Sequence, residues 1–228
     1  MPRQLAFDLP VREALGRDDF FVAPSNTLAL RMIENWRDWP ASKLALVGPA
    51  GAGKTHLAHV WAAEAGATIV AATDLSVADI AALSAHGRVA VEDVPAATGK
   101  APVETALLHL HNHLLAAGGR LLLTGRAAPA RWPVALPDLA SRLQATVTAT
   151  LEPPDDALLA AVLVKLFADR QLAVPPALIP YLVRRMERSL AAARRLVDRL
   201  DASALAEGRA ISRALAAEVL DRGDPGTA

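Results

Sequence analysis

The stretch from Gly48 to Thr55, Gly-Pro-Ala-Gly-Ala-Gly-Lys-Thr, constrains this chain more than any other. It fits G-x-x-x-x-G-K-[S/T] in full and stands between an apolar run at 43–48 and a helical pattern. Glycines let successive backbone N–H groups turn inward, and the helix that follows brings partial positive charge, so the loop cradles an anion. The motif therefore demands a buried strand before it and a helix after it, the opening unit of a parallel α/β sheet. Gly48, Ala50, Gly51, Ala52, Gly53, Lys54 and Thr55 are candidates to hold the phosphates of ADP or ATP. Lys54 would meet the outer phosphates, and Thr55 would offer its hydroxyl to Mg²⁺.

Four further apolar runs, 67–72, 88–93, 120–125 and 145–150, repeat the strand pattern, with room between several of them for crossover helices. Helices are expected over 26–38, capped by Ser25 or Asn26, and over 102–117, entered by Pro102 and left at Gly118-Gly119. After Leu-Glu-Pro-Pro-Asp-Asp at 151–156 the strand pattern stops. Asp155 or Asp156 can cap the next helix, and helices follow near 155–170, 176–187, 189–207 and 212–221. The fold class is α/β: a P-loop parallel sheet flanked by helices, then a small all-helical domain. The expected division is a tail and linker at 1–17, a sheet domain at 18–152 and a helical domain at 153–228, with a frayed end from 222.

Composition narrows the partners. The 228 residues are 53% hydrophobic, enough for a large core, and the 24 Lys and Arg balance 24 Asp and Glu, so no global field draws the chain to DNA. Any DNA contact would be local or indirect. There is no cysteine, and no run approaches the roughly 20 apolar residues that span a bilayer. A cytoplasmic protein without membrane contact is expected.

A site of this kind needs an acid on a neighbouring strand. The run at 88–93 ends with Glu92 and then Asp93. Glu92 reaches toward the metal, while Asp93 falls one carbon short of where a water-activating carboxylate acts, so intrinsic hydrolysis should be slow or absent. Thr124, ending 120–125, would present its hydroxyl near the γ-phosphate, and His56 would pack beside the nucleotide. His109 and His113 share a helix face that His111 does not, without a third ligand, so they read as surface or packing residues. At the start of the chain, Leu5, Phe7 and Leu9 alternate in 3–15. Such a segment either pairs onto the chain's own sheet or is held by another protein.

The phosphate loop, the acid pair, Thr124, Leu-Pro-Asp-Leu-Ala-Ser-Arg-Leu at 136–143 and the helical end together resemble the AAA+ ATPases. Within them the likeness is to the DnaA clade, over about 18–221. The segment 18–30 resembles the linker that packs near the adenine, which adds Val22 and Pro24 to the cofactor residues, and 148–163 resembles the junction to the lid. The resemblance makes Arg142 an arginine finger acting in trans, with Asp93 and Thr124 beside it as candidate catalytic residues. No helix-turn-helix pattern follows the helical end, and the chain opens with Gln-Leu-Ala-Phe-Asp-Leu-Pro at 4–10, so it is similar to the Hda-type regulatory inactivators of DnaA. That likeness implies a negative regulator of replication initiation. Gln4, Leu5, Phe7 and Leu9 would dock on the DNA polymerase sliding clamp, and Arg142 would act on ATP held by DnaA while the chain's own loop carries ADP. One tail should bind at micromolar strength, and two on a homodimer far better. Two positions depart from the pattern: the lid's sensor arginine falls on Ala191, with Arg188, Arg194 and Arg195 nearby, and Asp138 replaces a second arginine of the finger box. The alternative is an autonomous oligomeric AAA+ ATPase, a loader or motor.

Overall fold

The computed structural model describes residues 16–17 and 20–222. Helix α1 (Thr27–Glu34) precedes strand β1 (Lys43–Val47), which feeds α2 (Lys54–Ala65). Then follow β2 (Thr68–Ala71), α3 (Ile80–Ala85), β3 (Arg88–Glu92), α4 (Ala101–Ala116), β4 (Arg120–Gly125), α5 (Pro137–Gln144) and β5 (Thr148–Thr150). All four strand pairings are parallel, in the order β2-β3-β4-β1-β5. The expected α/β architecture is therefore the observed one.

Alternation along the strands builds two cores. Leu44, Leu46, Ala90 and Leu122 point to one face, packed by Leu30 and Ile33 of α1 and Leu57, Ala58 and Trp61 of α2. Val89, Val91, Leu121 and Leu123 point to the other, packed by Leu107, Leu110 and Leu114 of α4 and Leu139 and Leu143 of α5. Strands covered on both sides read as continuous apolar runs, which is why each was visible in the sequence. Trp61 is fully buried and stacks on Trp39, with centroids 5.1 Å apart. Trp61→Ala should cost about 3–5 kcal/mol, read as a lower urea midpoint at unchanged slope.

The first helix stops four residues before the expected 38. Asn35 leaves helical geometry, Trp36–Asp38 form a tight 3₁₀ turn, and Trp39 is extended at ψ 127. The residue before a proline is pushed out of the helical region, and Trp39 precedes Pro40. Asn26 occupies the cap position, but its side chain turns backward: it accepts from the Ala23 N–H at 2.9 Å and donates to the Phe21 carbonyl at 2.8 Å.

After β5 come α6 (Asp156–Asp169), α7 (Leu178–Val183), α8 (Leu190–Glu207) and α9 (Arg213–Asp221). Asp155 is the cap of α6, its carboxylate accepting from the Leu158 N–H at 2.7 Å. Ser189 and Ser212 cap α8 and α9 in the same way. These helices enclose their own core, with Leu163, Phe167, Leu182, Leu196, Leu200 and Leu215 at its centre. Among the described residues no helix is long and apolar enough to cross a membrane.

Candidate functional site

The phosphate loop leaves the carboxyl edge of β1, and α2 begins at Lys54, so the first-turn N–H groups of that helix face the loop. Gly51 and Gly53 take left-handed geometry, φ 69 and φ 103, which a side chain would strain. Lys54 Nζ folds onto the loop, donating to the carbonyls of Gly48 at 2.7 Å and Pro49 at 2.8 Å. Burial holds its ammonium below the ordinary range and the charge of Arg126 adds to that, while Asp93 and Glu92 act in the opposite sense.

The acids and the threonine meet at this edge. Glu92 ends β3, and its Oε1 is buried with no hydrogen-bond partner among the described residues. Asp93 is itself left-handed, φ 49 and ψ 51, which turns its side chain to solvent and its N–H toward β4. There the Thr124 hydroxyl, 3% exposed, accepts that N–H at 2.9 Å. Its own hydroxyl proton remains to be donated elsewhere.

Beside the loop lies the segment 20–26. Phe20 is buried and meets His56 edge-on, with centroids 5.2 Å apart, and His56 Nε2 lies 3.0 Å from the Gly16 carbonyl. Val22 and Pro24 are exposed. Phe20, absent from the residues expected by sequence, is the aromatic that reaches the loop: a Cβ placed on Gly53 would sit 3.8 Å from its ring. Gln4, Leu5, Phe7 and Leu9 lie outside the described residues.

The helical segment closes on the loop from above. The Leu190 N–H donates to the Gly51 carbonyl at 2.8 Å, and a Cβ on Gly51 would lie 1.9 Å from Ser189 Oγ and 3.3 Å from the Ala191 nitrogen. Ala191 thus stands at the loop. Of the arginines around it, Arg188 pairs with Asp156 at 2.7 Å and Arg195 with Glu187 at 3.6 Å.

Arg142 is placed quite differently. Helix α5 crosses from the carboxyl edge of β4 to the amino edge of β5, and Arg142 lies in its last turn, exposed. Its carbonyl accepts from Lys43 Nζ at 2.6 Å, and Lys43 begins β1 whereas the phosphate loop leaves the other end. Five strand residues at roughly 3.3 Å each separate the two edges by about 13 Å between end Cα atoms. His111, on the buried face of α4, lies 3.2 Å from the same Nζ, while His109 and His113 stand with ring centroids 6.3 Å apart.

Glu104, in the first turn of α4, is 2% exposed. Its carboxylate accepts from Gly99 at 2.7 Å, Leu136 at 2.8 Å and Ala135 at 3.0 Å. Burial pushes its pKa up, but the N–H bonds from Ala135, Gly99 and Leu136 outweigh that and lower it below 4.5. The unfolded chain then binds the proton more tightly, so this stabilisation is complete above about pH 4.5 and is lost as pH falls through the depressed value. Glu104→Gln should flatten that part of the acid limb in unfolding midpoints measured from pH 3 to pH 6 (an interval chosen around the ordinary carboxyl range).

A parallel sheet in this order, a phosphate loop after β1, acids on β3, a polar strand end on β4 and a helical cluster on the loop make a fold that matches an AAA+ domain. No family model matches the chain. It is 29% identical to the chromosomal replication initiator protein DnaA of Sphingopyxis alaskensis, over 96% of this chain and 52% of that one. Domain III of DnaA from Thermotoga maritima superposes with a TM-score of 0.78 at 21% identity, covering 94% of this chain and 98% of that one. The AMPPCP-bound DnaA of Aquifex aeolicus gives a TM-score of 0.66 at 17% identity, over 82% of this chain and 64% of that one. More narrowly, then, the chain is homologous at low identity to the AAA+ domain of DnaA, and it spans about half the length of the curated relatives it matches.

Proposed function

We propose that this protein is a nucleotide-bound AAA+ adaptor that promotes ATP hydrolysis by DnaA and so restrains replication initiation. The observation that carries this reading is the position of Arg142: exposed, and at the sheet edge opposite its own phosphate loop. A guanidinium there faces outward, away from the chain's own loop, and so suits another subunit's phosphates.

The chain's own loop fits a nucleoside di- or triphosphate with Mg²⁺. The N–H groups of 50–55 and the ammonium of Lys54 would hold phosphates, while Thr55 and the unpartnered Glu92 Oε1 would hold the cation. Bound there, such a cation supplies charge neutralisation between phosphate oxygens. Phe20 and His56 wall the base side, with Val22 and Pro24 at its rim. Asp93, one carbon shorter than the carboxylate that usually activates water, is poorly placed for that step in its own site, which supports weak or absent intrinsic turnover. Gln4, Leu5, Phe7 and Leu9 would tether the protein to the sliding clamp, and the chain would touch DNA only through it.

A second reading, an autonomous oligomeric ATPase, draws on the same exposed Arg142, which would then complete a site on an identical subunit. Turnover separates the two. The adaptor hydrolyses negligibly alone and accelerates DnaA only with clamp loaded on DNA; hydrolysis by the isolated protein that rises steeply with its concentration would replace it with the motor.

A further inference from the structure

Helix α5 has only eight residues, too few to hold its own shape without outside contacts. Leu139 and Leu143 anchor its inner face in the core, and buried ions grip its two ends, which sets where Arg142 points along the outer face. At the amino end, the Glu104 carboxylate accepts from Ala135 and Leu136 just before the helix. At the carboxyl end, Lys43, 4% exposed, donates to the Arg142 carbonyl itself. Lys43 is steadied by His111 Nε2 at 3.2 Å, and His111 Nδ1 in turn faces Asn112 Oδ1 at 3.2 Å. With Nδ1 donating to that amide oxygen, Nε2 is the lone pair that meets the ammonium.

Neither ion has a countercharge among the described residues: Glu104 is satisfied by backbone N–H groups, Lys43 by a carbonyl and a neutral ring. Apolar side chains would fill these places at less cost in desolvation. What ions add is direction, because a charge-assisted bond fixes the backbone atom it meets. Glu104 and His111 both stand on α4, so a single sixteen-residue bar spans α5 from end to end. Glu104 also holds Gly99, in the loop that follows Glu92 and Asp93. The same carboxylate thus ties the acid end of the chain's own site to the helix that bears Arg142.

We propose that Glu104 and Lys43, the latter through His111, are positioning residues that clamp α5 at both ends and aim Arg142 at a phosphoryl group held by a partner subunit. The inference rests on the adaptor reading and deepens it.

The test uses full-length protein with DnaA, ATP and clamp-loaded DNA, titrated so that the maximal stimulated rate and the half-saturating concentration are read separately. Glu104→Gln and Lys43→Met should each lower the maximal rate about 10- to 100-fold, the scale of an ångström-sized misplacement. The half-saturating concentration should stay unchanged in both, as should the nucleotide affinity of the chain's own loop in Lys43→Met, and Lys43→Arg, which keeps a donor, should restore part of the rate. Amide exchange in 137–144 should quicken in both variants and not in Arg142→Ala. Full stimulation by both variants, or unchanged exchange, would overturn the clamp. Full stimulation by Arg142→Ala would instead remove the finger, and the clamp's purpose with it. Thermal unfolding of each variant keeps a folding defect apart from a misaimed arginine.

Discussion

Arg142→Ala is expected to abolish stimulation of DnaA, lowering the accelerated rate by about 10³–10⁵-fold, the range an arginine finger contributes. The size follows from what the guanidinium would do as the proposed finger: meet charge that develops on the transferring phosphoryl group, inside a site from which water is largely excluded. The same change should leave the fold intact. The Arg142 side chain is exposed, and the contact that secures its backbone is made by its carbonyl, which alanine keeps. Nucleotide binding by the chain's own loop should likewise persist, since that loop leaves the opposite edge of the sheet. Measured as single-turnover hydrolysis by DnaA with clamp-loaded DNA, a variant that stimulates as well as the parent would exclude the finger. Arg142→Lys sharpens the result: it keeps the charge but loses the planar fork, so a rate near that of alanine would show that geometry, beyond charge, is needed.

The parts of this site that were legible in the sequence are those built from neighbours in the chain. Gly48 to Thr55 could be read because all its contributors lie within eight residues, after a strand that both sheet faces bury. Glu92 and Asp93 could be placed at the end of a strand, but not the left-handed turn at Asp93, which depends on an N–H captured by Thr124 across to the next strand. Phe20 and Arg126 carry no signal in the sequence although each sits two residues from a candidate position, Val22 and Thr124. Nothing in an alternating or apolar pattern says which ring turns inward or which strand-end cation comes close enough to depress Lys54. Glu104 and Lys43 were further out of reach. Gly99 apart, their partners are 31 or more residues away, 99 in the case of Lys43 and Arg142, and a charged residue at a helix start or strand start ordinarily reads as solvated. Only the closed fold makes them buried.

In the proposed loop site nucleotide affinity would hang on Lys54, and Lys54→Ala is expected to weaken ADP or ATP binding by about 10²–10⁴-fold. In the structure its ammonium is satisfied by two loop carbonyls, Gly48 and Pro49. It is therefore already held against the loop. Two charge-assisted hydrogen bonds to phosphate oxygens, at about 1.5–3 kcal/mol each, give that range. The dependence on pH has a definite sign. Burial and Arg126 hold the Lys54 pKa below 10.5, and an anionic ligand favours the charged form. Affinity should therefore be constant while Lys54 is protonated and fall as pH rises through its lowered value, a fall that Lys54→Ala should not show. Titration with a fluorescent ADP analogue across neutral and alkaline pH reads both effects. The comparison also bears on the adaptor reading, because the helical segment contacts this loop through Gly51, Ser189 and Leu190, where a structural nucleotide would stabilise the fold. At an ADP concentration that saturates the parent but not Lys54→Ala, the variant's thermal midpoint should then rise by less than the parent's. A midpoint for Lys54→Ala that rises with ADP as much as the parent's would place the bound nucleotide somewhere other than this loop.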